Sequence, residues 1–345
     1  MGDLSDSYMV YFDYDAHLRN DRIRIFSILK GKDMRKFLKK IVIFFLLFAC
    51  SGMIVMCFDK KVMGNQFQGS YQAAMLDKTN RLQSIDGPKI ILIGNSNVCF
   101  GINSAMIEEH FSMPVVNMGL AAGLGNAFLE NMLNLGLSEG DIVVVCHSDF
   151  SNDDTIIDLG AAWKVLEHHK ELWSTLRKKD YFSLAKAYPS YFFDAILSWA
   201  QDGKYNKPME GTSYSRNAFN EYGDIVKRYE NTYTFHEDSV KVPQIDDTCI
   251  DRLNRLNRSI TEQGATLIVA GYPIADGAYT PEKSEYEMFE AQLRERLECD
   301  IISHYTDYFI PYEYFYDSDL HLTEEGAKIR TEQLIQDLDR WGGIE

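Results

Sequence analysis

Paired cysteines are missing from this sequence. Its six cysteines show no CxxC spacing and no Cys/His cluster, which excludes the usual zinc-site patterns. Cys50 and Cys57 sit in a hydrophobic run, and Cys99, Cys146, Cys249 and Cys299 are scattered. A chain of 345 residues has no need of a disulfide framework, so free, mostly buried thiols are expected. Basic charge is also scarce beyond the N-terminal region. Residues 1–61 carry 11 Lys and Arg against 7 Asp, and the rest carries 24 basic against 44 acidic residues, a net of −20. Such a surface repels phosphate backbones, so nucleic acid is not expected as a partner. The stretch GLAAGLG, Gly119–Gly125, lacks both the GxGxxG spacing and the P-loop lysine, which argues against nucleotide binding. No metal or organic cofactor is expected, and no internal repeat is visible. What the chain does have is apolar substance. Hydrophobic residues make up 46% and aromatics 13%, ample for a real core.

One long apolar run stands out. Ile41 to Phe58, IVIFFLLFACSGMIVMCF, is 18 residues without a charge, and roughly 20 such residues span a bilayer. Arg35, Lys36, Lys39 and Lys40 precede it, whereas Asp59, Lys60 and Lys61 follow. The heavier basic cluster therefore predicts a cytoplasmic N-terminus and an extracytoplasmic remainder. The expected organisation is a cytoplasmic tail over 1–40, a transmembrane anchor over 41–58, a mostly helical juxtamembrane connector over 59–87 and a folded domain over 88–345. Read from Met34, the stretch MRKFLKKIVIFFLLFAC also has the form of a bacterial export signal. Residues 1–33 are then either a short tail or an upstream extension. LFAC at Leu47–Cys50 resembles a lipoprotein cleavage box, but the following SGMIVMCF stays apolar, which favours an uncleaved anchor.

Beyond Pro88 the pattern alternates. KIILIG, PVVNMG, DIVVVCHSDF, ATLIVAGYP and CDIISHY read as five strands, and KIILIG in particular is a continuous apolar run of the kind buried on both faces. SAMIEEHF, NAFLENMLNLGL, CIDRLNRLNRSITEQG, SEYEMFEAQLRERLE and TEEGAKIRTEQLIQDLDRW read as the intervening and closing helices. Alternating strands and helices predict an α/β fold in three layers, with a central parallel sheet and helices on both faces. Functional groups in such folds sit at the carboxyl ends of the strands. Residues from about 155 to 245 interrupt the rhythm as a helical, aromatic-rich insertion. Trp163, Trp173 and Trp199 are expected to pack it, and His168 and His169 are expected to be solvated.

The strand ends carry the chemistry. The first delivers Gly94-Asn95-Ser96-Asn97, and the second Asn117-Met118-Gly119, continuing through Gly123 and Gly125. The third delivers His147, Ser148, Asp149 and Asn152; the fifth leads through an aromatic loop to FYDSDLHLTEEG, Phe315–Gly326. An oxygen nucleophile, an imidazole and carboxylates thus converge on one edge, which is the set that acyl transfer needs. A lone serine after a buried strand is usually turn chemistry; here the Gly before it, the flanking Asn pair and the downstream His block favour catalysis. Thr323 reads as the cap of the last helix, leaving His321 on the preceding loop.

Three blocks in order resemble the SGNH (GDSL-like) hydrolase superfamily, in particular its membrane-anchored bacterial branch. GNSNVCFGIN is similar to the first block, with Asn95 where Asp is commoner, PVVNMGLAAGLG to the second and DSDLHLTEEG to the last. The resemblance covers about residues 88–341. It implies the three-layer, flavodoxin-like SGNH fold, with Ser96 as nucleophile and His321 as general base. The orienting carboxylate is Asp317, with Asp319 as the alternative. The oxyanion donors are the Ser96 amide and a glycine amide, Gly123 or Gly119, and the family's further Asn corresponds to Asn152 or Asn97. Asn95 and His147 are expected to line the pocket. The implied activity is that of an extracytoplasmic serine esterase or O-acyltransferase, acting on acyl (chiefly acetyl) esters of a cell-envelope polysaccharide. The implied partners are the membrane, that glycan or another ester substrate, and a membrane-bound O-acyltransferase. The rival readings are a non-catalytic scaffold of an envelope-modification complex and a lipid esterase. An intact mass of the native protein tests the anchor: a chain retaining residues on both sides of Cys50 is expected, and one beginning at a lipid-modified Cys50 overturns it.

Overall fold

Five of the runs read as strands pair side by side, and IILI, VVN and IVVV are buried at every residue. They form β1 (Ile90–Ile93), β2 (Val115–Asn117), β3 (Ile142–Val145), β4 (Thr266–Val269) and, after the short β5 (Ile274–Asp276), β6 (Asp300–Ile301). The sheet order is β2-β1-β3-β4-β6, and every pairing is parallel. This computed structural model describes residues 32–151, 155–229, 240–277 and 280–344.

Successive strand residues point to opposite faces, and the two cores divide accordingly. Ile91, Ile93, Val116, Val143, Val145, Leu267 and Val269 share one cluster. Ile90, Leu92, Val115, Ile142, Val144 and Ile268 share the other. On the first face lie residues from α2 (Ala74–Ser84), α5 (Asn126–Asn131), α9 (Asp247–Thr261) and α10 (Lys283–Arg296). On the second face lie residues from α4 (Ser104–Phe111) and α11 (Glu324–Trp341). The expected α/β fold with a central parallel sheet and helices on both sides is what the chain adopts. The strand order reverses direction between β1 and β3, and a crevice opens at the carboxyl ends of strands at such a reversal.

The chain divides into two units, Met1–Val62 and Met63–Glu345. In the first, α1 (Lys32–Phe58) is a 27-residue helix, about 40 Å long at 1.5 Å per residue. Among the described residues it contributes the one helix long and apolar enough to cross a membrane, with a mean hydropathy of 2.8. The connector expected over 59–87 is helical, but α2 is not a spacer. Met75, Lys78, Thr79 and Leu82 are buried, so the second unit begins at Met63 rather than at 88.

The insertion between β3 and α9 holds α6 (Leu159–Leu166), α7 (Lys170–Trp173) and α8 (Lys178–Ala200), followed by irregular chain through Arg228. Trp163 stacks on Tyr191 at 4.6 Å, lies 5.0 Å from Trp173 and donates to the Leu184 carbonyl at 2.9 Å. Trp163 and Trp173 thus pack the insertion, as expected, whereas Trp199 is exposed. His168 and His169 are half-buried rather than solvated, and the His169 ring meets the Asn65 amide at 3.0 Å. All six cysteines are free, with Cys99, Cys146 and Cys249 buried.

Four short strands lay outside the sequence expectation. β5 pairs with β7 (Phe309–Pro311), and β8 (Phe315–Ser318) forms a hairpin with β9 (His321–Leu322). The opposite end of the sheet is tied by a buried ion pair, Lys89 Nζ to Asp141 Oδ2 at 3.0 Å, both side chains fully buried. Removing one partner leaves the other charge buried without compensation. Lys89→Met is therefore expected to destabilise the protein by about 3–5 kcal/mol, read by urea unfolding of the full chain in detergent; a variant as stable as wild type overturns this.

Candidate active site

The apolar run of β1 ends at Gly94, where the chain turns directly into α3 (Ser96–Gly101). A side chain at Gly94 would lie 2.6 Å from Val98 Cγ2 and 2.9 Å from the Cys146 carbonyl oxygen, closer than a Cβ tolerates. Asn95 is extended and caps the helix: its Oδ1 accepts from the Asn97 backbone N–H at 3.0 Å and from Asn97 Nδ2 at 2.7 Å. An N-terminal cap of this kind satisfies one of the otherwise orphaned first amides of a helix. The Asn95 amide also donates to Ser148 Oγ at 2.8 Å, tying the end of β1 to the end of β3. Asn95 is therefore a strut of the turn, almost wholly buried, rather than a pocket wall.

The turn sets Ser96 as the first residue of α3. Its hydroxyl lies 2.7 Å from His321 Nε2. His321 Nδ1 lies 2.6 Å from Asp317 Oδ1. A carboxylate only accepts, so Nδ1 carries the proton and a neutral ring leaves Nε2 to accept from Ser96. The ring is stacked on Phe100 at 4.1 Å and 10°, and its backbone N–H donates to Ser318 Oγ at 3.2 Å. Thr323 caps α11 through Gly326 N–H, as expected, so the imidazole is carried on β9 just before the helix. Ser96, His321 and Asp317, distant in the chain, form one hydrogen-bonded line.

Burial opposes the charge on Asp317, but hydrogen bonds from His321 and Tyr214 outweigh it and hold the carboxyl below its usual value. Asp319, the alternative carboxylate, makes no hydrogen bond to the ring. It occupies the hairpin turn beside Ser148, Tyr272 and Leu320, around a recess of about 220 Å³, and burial pushes its carboxyl up. The hairpin selects between the two. Ser318 pairs with His321, and a register shift lies between Phe315 and Ser318. Asp317 is thereby brought to the ring.

Three further candidates fall away from the site. Asn97 is fully buried, and its Nδ2 spends both hydrogens inward, on Asn95 Oδ1 and the Cys146 carbonyl at 3.1 Å. Its side chain cannot serve as an oxyanion donor. The Gly119 amide donates to its neighbour's side chain, Asn117 Oδ1, at 3.0 Å. The glycine is there for space: a Cβ would lie 2.6 Å from Val98 Cβ and 2.8 Å from Cys99 N, against the nucleophile helix. His147 is fully buried and bonds Glu130 Oε1 at 2.8 Å, and Glu130 also pairs with Arg252 at 2.9 Å. It belongs to an internal hydrogen-bonded network, not a pocket wall. Asn152 lies outside the described residues. Gly123 stands in the 3-10 turn Ala122–Leu124, its carbonyl accepting from Ile157 and Asp158 amides at 3.0 and 2.7 Å. The Ser96 amide, first in its helix, has no carbonyl of that helix to bond.

Sequence reading missed Tyr214. Its hydroxyl donates to Asp317 Oδ2 at 2.6 Å and lies 3.3 Å from His321 Nδ1. It also lines a cavity of about 330 Å³ with Phe67, Tyr71, Lys164, Tyr205 and Lys207. A tyrosine in an irregular, polar stretch of the insertion gives no periodic signal. Among the described residues no group of three or more His, Cys, Asp or Glu side chains could hold a metal ion. No protein-family model matches the chain, and no curated protein matches it significantly.

Gly119→Ala isolates the spatial requirement at the site. Overpacking against the nucleophile helix is expected to cost about 1–3 kcal/mol and to displace Ser96, measured by thermal unfolding beside an Ala121→Gly control. Unchanged stability overturns the packing argument.

Proposed function

We propose that this chain is a membrane-anchored serine esterase or O-acyltransferase of the SGNH type, with Ser96 as its nucleophile. The observation that carries the reading is the continuous contact from Ser96 Oγ through His321 to Asp317, at 2.7 and 2.6 Å. Both distances lie in the range for proton transfer between positioned groups. The site also stands at the carboxyl edge of a parallel sheet, at its reversal point, where such folds hold ligands.

The reaction then runs in two halves. Ser96 Oγ attacks the ester carbonyl while His321 Nε2 takes its proton. Asp317 holds the ring in the tautomer with Nδ1 protonated and stabilises the imidazolium that forms. Negative charge on the carbonyl oxygen is met by amide donors. With Gly119 and the Asn97 side chain committed elsewhere, the Ser96 and Gly123 amides are the pair we assign. The alcohol leaves with the proton from His321, and an acyl-enzyme remains on Ser96. Water or a hydroxyl acceptor, deprotonated by His321, then attacks the acyl carbonyl; the bond to Ser96 Oγ breaks and His321 returns the proton to that oxygen. Transfer and hydrolysis differ only in that acceptor.

The setting follows from the anchor and the resemblance. The basic cluster before Ile41 favours an N-terminus in the cytoplasm and a catalytic unit outside it. The resemblance to anchored SGNH proteins supports an acylated envelope polysaccharide as substrate and a membrane-bound O-acyltransferase as partner.

A fluorophosphonate probe tests the nucleophile in the full chain solubilised in detergent. Wild type is expected to label at one site and Ser96→Ala not at all. Asp317→Asn is expected to slow labelling by roughly 10²–10⁴-fold, and Asp319→Asn by no more than about threefold. Equal labelling of wild type and Ser96→Ala overturns the enzyme reading and leaves the scaffold. Nitrophenyl esters of increasing chain length separate the substrate classes, since a strong preference for long acyl chains points to lipid instead of acetylated glycan.

A further inference from the structure

We infer that Tyr214 is a positioning residue. It ties down the outer oxygen of Asp317 and shares that carboxylate's charge, so that His321 releases its proton more readily and the insertion is a working part of the site. The activity consequences rest on the reading of Ser96, His321 and Asp317 as a triad; the contacts themselves do not.

Asp317 sits on a two-stranded hairpin with an irregular register, a weak platform for holding a carboxylate at one angle. One oxygen, Oδ1, faces His321 Nδ1 at 2.6 Å. The other, Oδ2, would face partly outward, since the side chain keeps 16% of its exposure. Tyr214 Oη closes it at 2.6 Å. The hydroxyl is also 3.3 Å from His321 Nδ1, but a protonated Nδ1 offers no lone pair. The donation therefore goes to the carboxylate. With both oxygens engaged, rotation of the carboxylate away from the ring breaks two charge-assisted hydrogen bonds instead of one.

The tyrosine is itself held. Its ring packs 5.6 Å from Tyr71 and 5.8 Å from Phe100, the same ring that stacks on His321. Its backbone is pinned to the segment before α2. Ser215 bridges to Ser70, the Arg216 amide donates to the Gly69 carbonyl at 3.2 Å, and the Gly69 amide donates to Tyr205 at 2.9 Å. The Arg216 guanidinium grips Asp77 with two bonds of 2.7 Å. A side chain at Gly69 would overlap the Lys207 carbonyl, so only glycine admits this approach. A residue needed for packing alone would require the ring but not the hydroxyl.

The direction of the effect follows from the charges. A donor on Oδ2 favours the ionised carboxylate and disperses its charge. Without it, Asp317 is more basic and holds the imidazolium of His321 more tightly. The other titratable or charged groups around the cluster are Tyr71 and Cys99 on the Phe100 side, Tyr316 and Asp319 on the hairpin, and Arg228 with Glu324 beyond it. A Tyr214→Phe change alters none of these, and it retains the ring.

Two readouts test the inference in the full chain in detergent. The first is the fluorophosphonate labelling rate of Tyr214→Phe against pH. The plateau is expected to fall about tenfold, and the acidic limb to move upward by about half a pH unit or more. The second needs no activity: the ring resonances of histidine-labelled protein, with His321 assigned by His321→Gln, should titrate at a correspondingly higher pH. An unmoved or downward-shifted profile in both overturns the inference and leaves Tyr214 a packing residue. If wild type does not label, the triad reading fails separately, and the resonance titration alone decides: an upward shift supports the role of Tyr214, and no shift ends it.

Discussion

Everything at this site depends on the turn from β1 into α3. A strand buried on both faces must end where its helix begins, within two residues, because Ser96 already belongs to the helix. That demand selects glycine at 94, where Val98 and the Cys146 carbonyl leave no room for a side chain, and a capping amide at 95. The capping bonds in turn consume Asn97. The same closeness explains Gly119, which lets the end of β2 lie against Val98 and Cys99 of the nucleophile helix. Residues that look like donors around a serine are thus partly the cost of holding it. The turn uses amides and glycines for its own geometry before any remain for an oxyanion.

This is also why the fold was legible in the sequence to a greater depth than the site. Five strands declare themselves because parallel strands covered on both faces leave continuous runs such as IILI and IVVV. The order of blocks, and the sheet edge they share, follow from that alternation. The ambiguity between Asp317 and Asp319 could not be settled by spacing, because the hairpin of β8 and β9 carries a register shift and alternate residues do not keep one face. His147 reads as a strand-end histidine facing a crevice. Its partner Glu130 comes from α5 and is itself paired with Arg252 of α9, and nothing in the local sequence announces either. Tyr214 lies further still from any signal, in chain whose structure is set by tertiary contacts and not by a period.

A buried polar framework supports the strand ends from below. Asp224 accepts from the Ser104 amide and hydroxyl at 2.8 and 2.6 Å and from Asn117 Nδ2 at 2.7 Å. Lys78 donates to the carbonyls of Asn117 and Gly223 at 2.8 and 2.5 Å, and burial lowers it to about 8. Arg330, wholly buried, donates to the Asn97 carbonyl at 2.6 Å and to Gly271 at 3.2 Å. Arg228 reaches both the Phe100 and the Leu322 carbonyls, at 2.6 and 3.0 Å. In a dry interior each such group is costly unless satisfied, and once satisfied it rigidifies what it joins. These four side chains link α2, α3, α4, β2 and β9, the elements that must agree for Ser96 to meet His321.

Two of these elements, and the hydroxyl on Asp317, owe their placement to chain outside the alternating core. Asp224, Arg228 and Tyr214 all belong to the irregular segment that follows α8. One reaches the end of β2, one the backbone beside His321, and one the carboxylate itself. A helical insertion added only as cover would need none of these contacts. The segment instead runs across the carboxyl edge of the sheet and fastens its loops at three points. Its own attachment returns to the chain at Gly69, just before α2, and through the Arg216 side chain to Asp77 in the first turn of α2. The segment is therefore pinned at both ends of its span, and the geometry of the Ser96–His321–Asp317 line is closed by residues on which no strand or helix pattern bears.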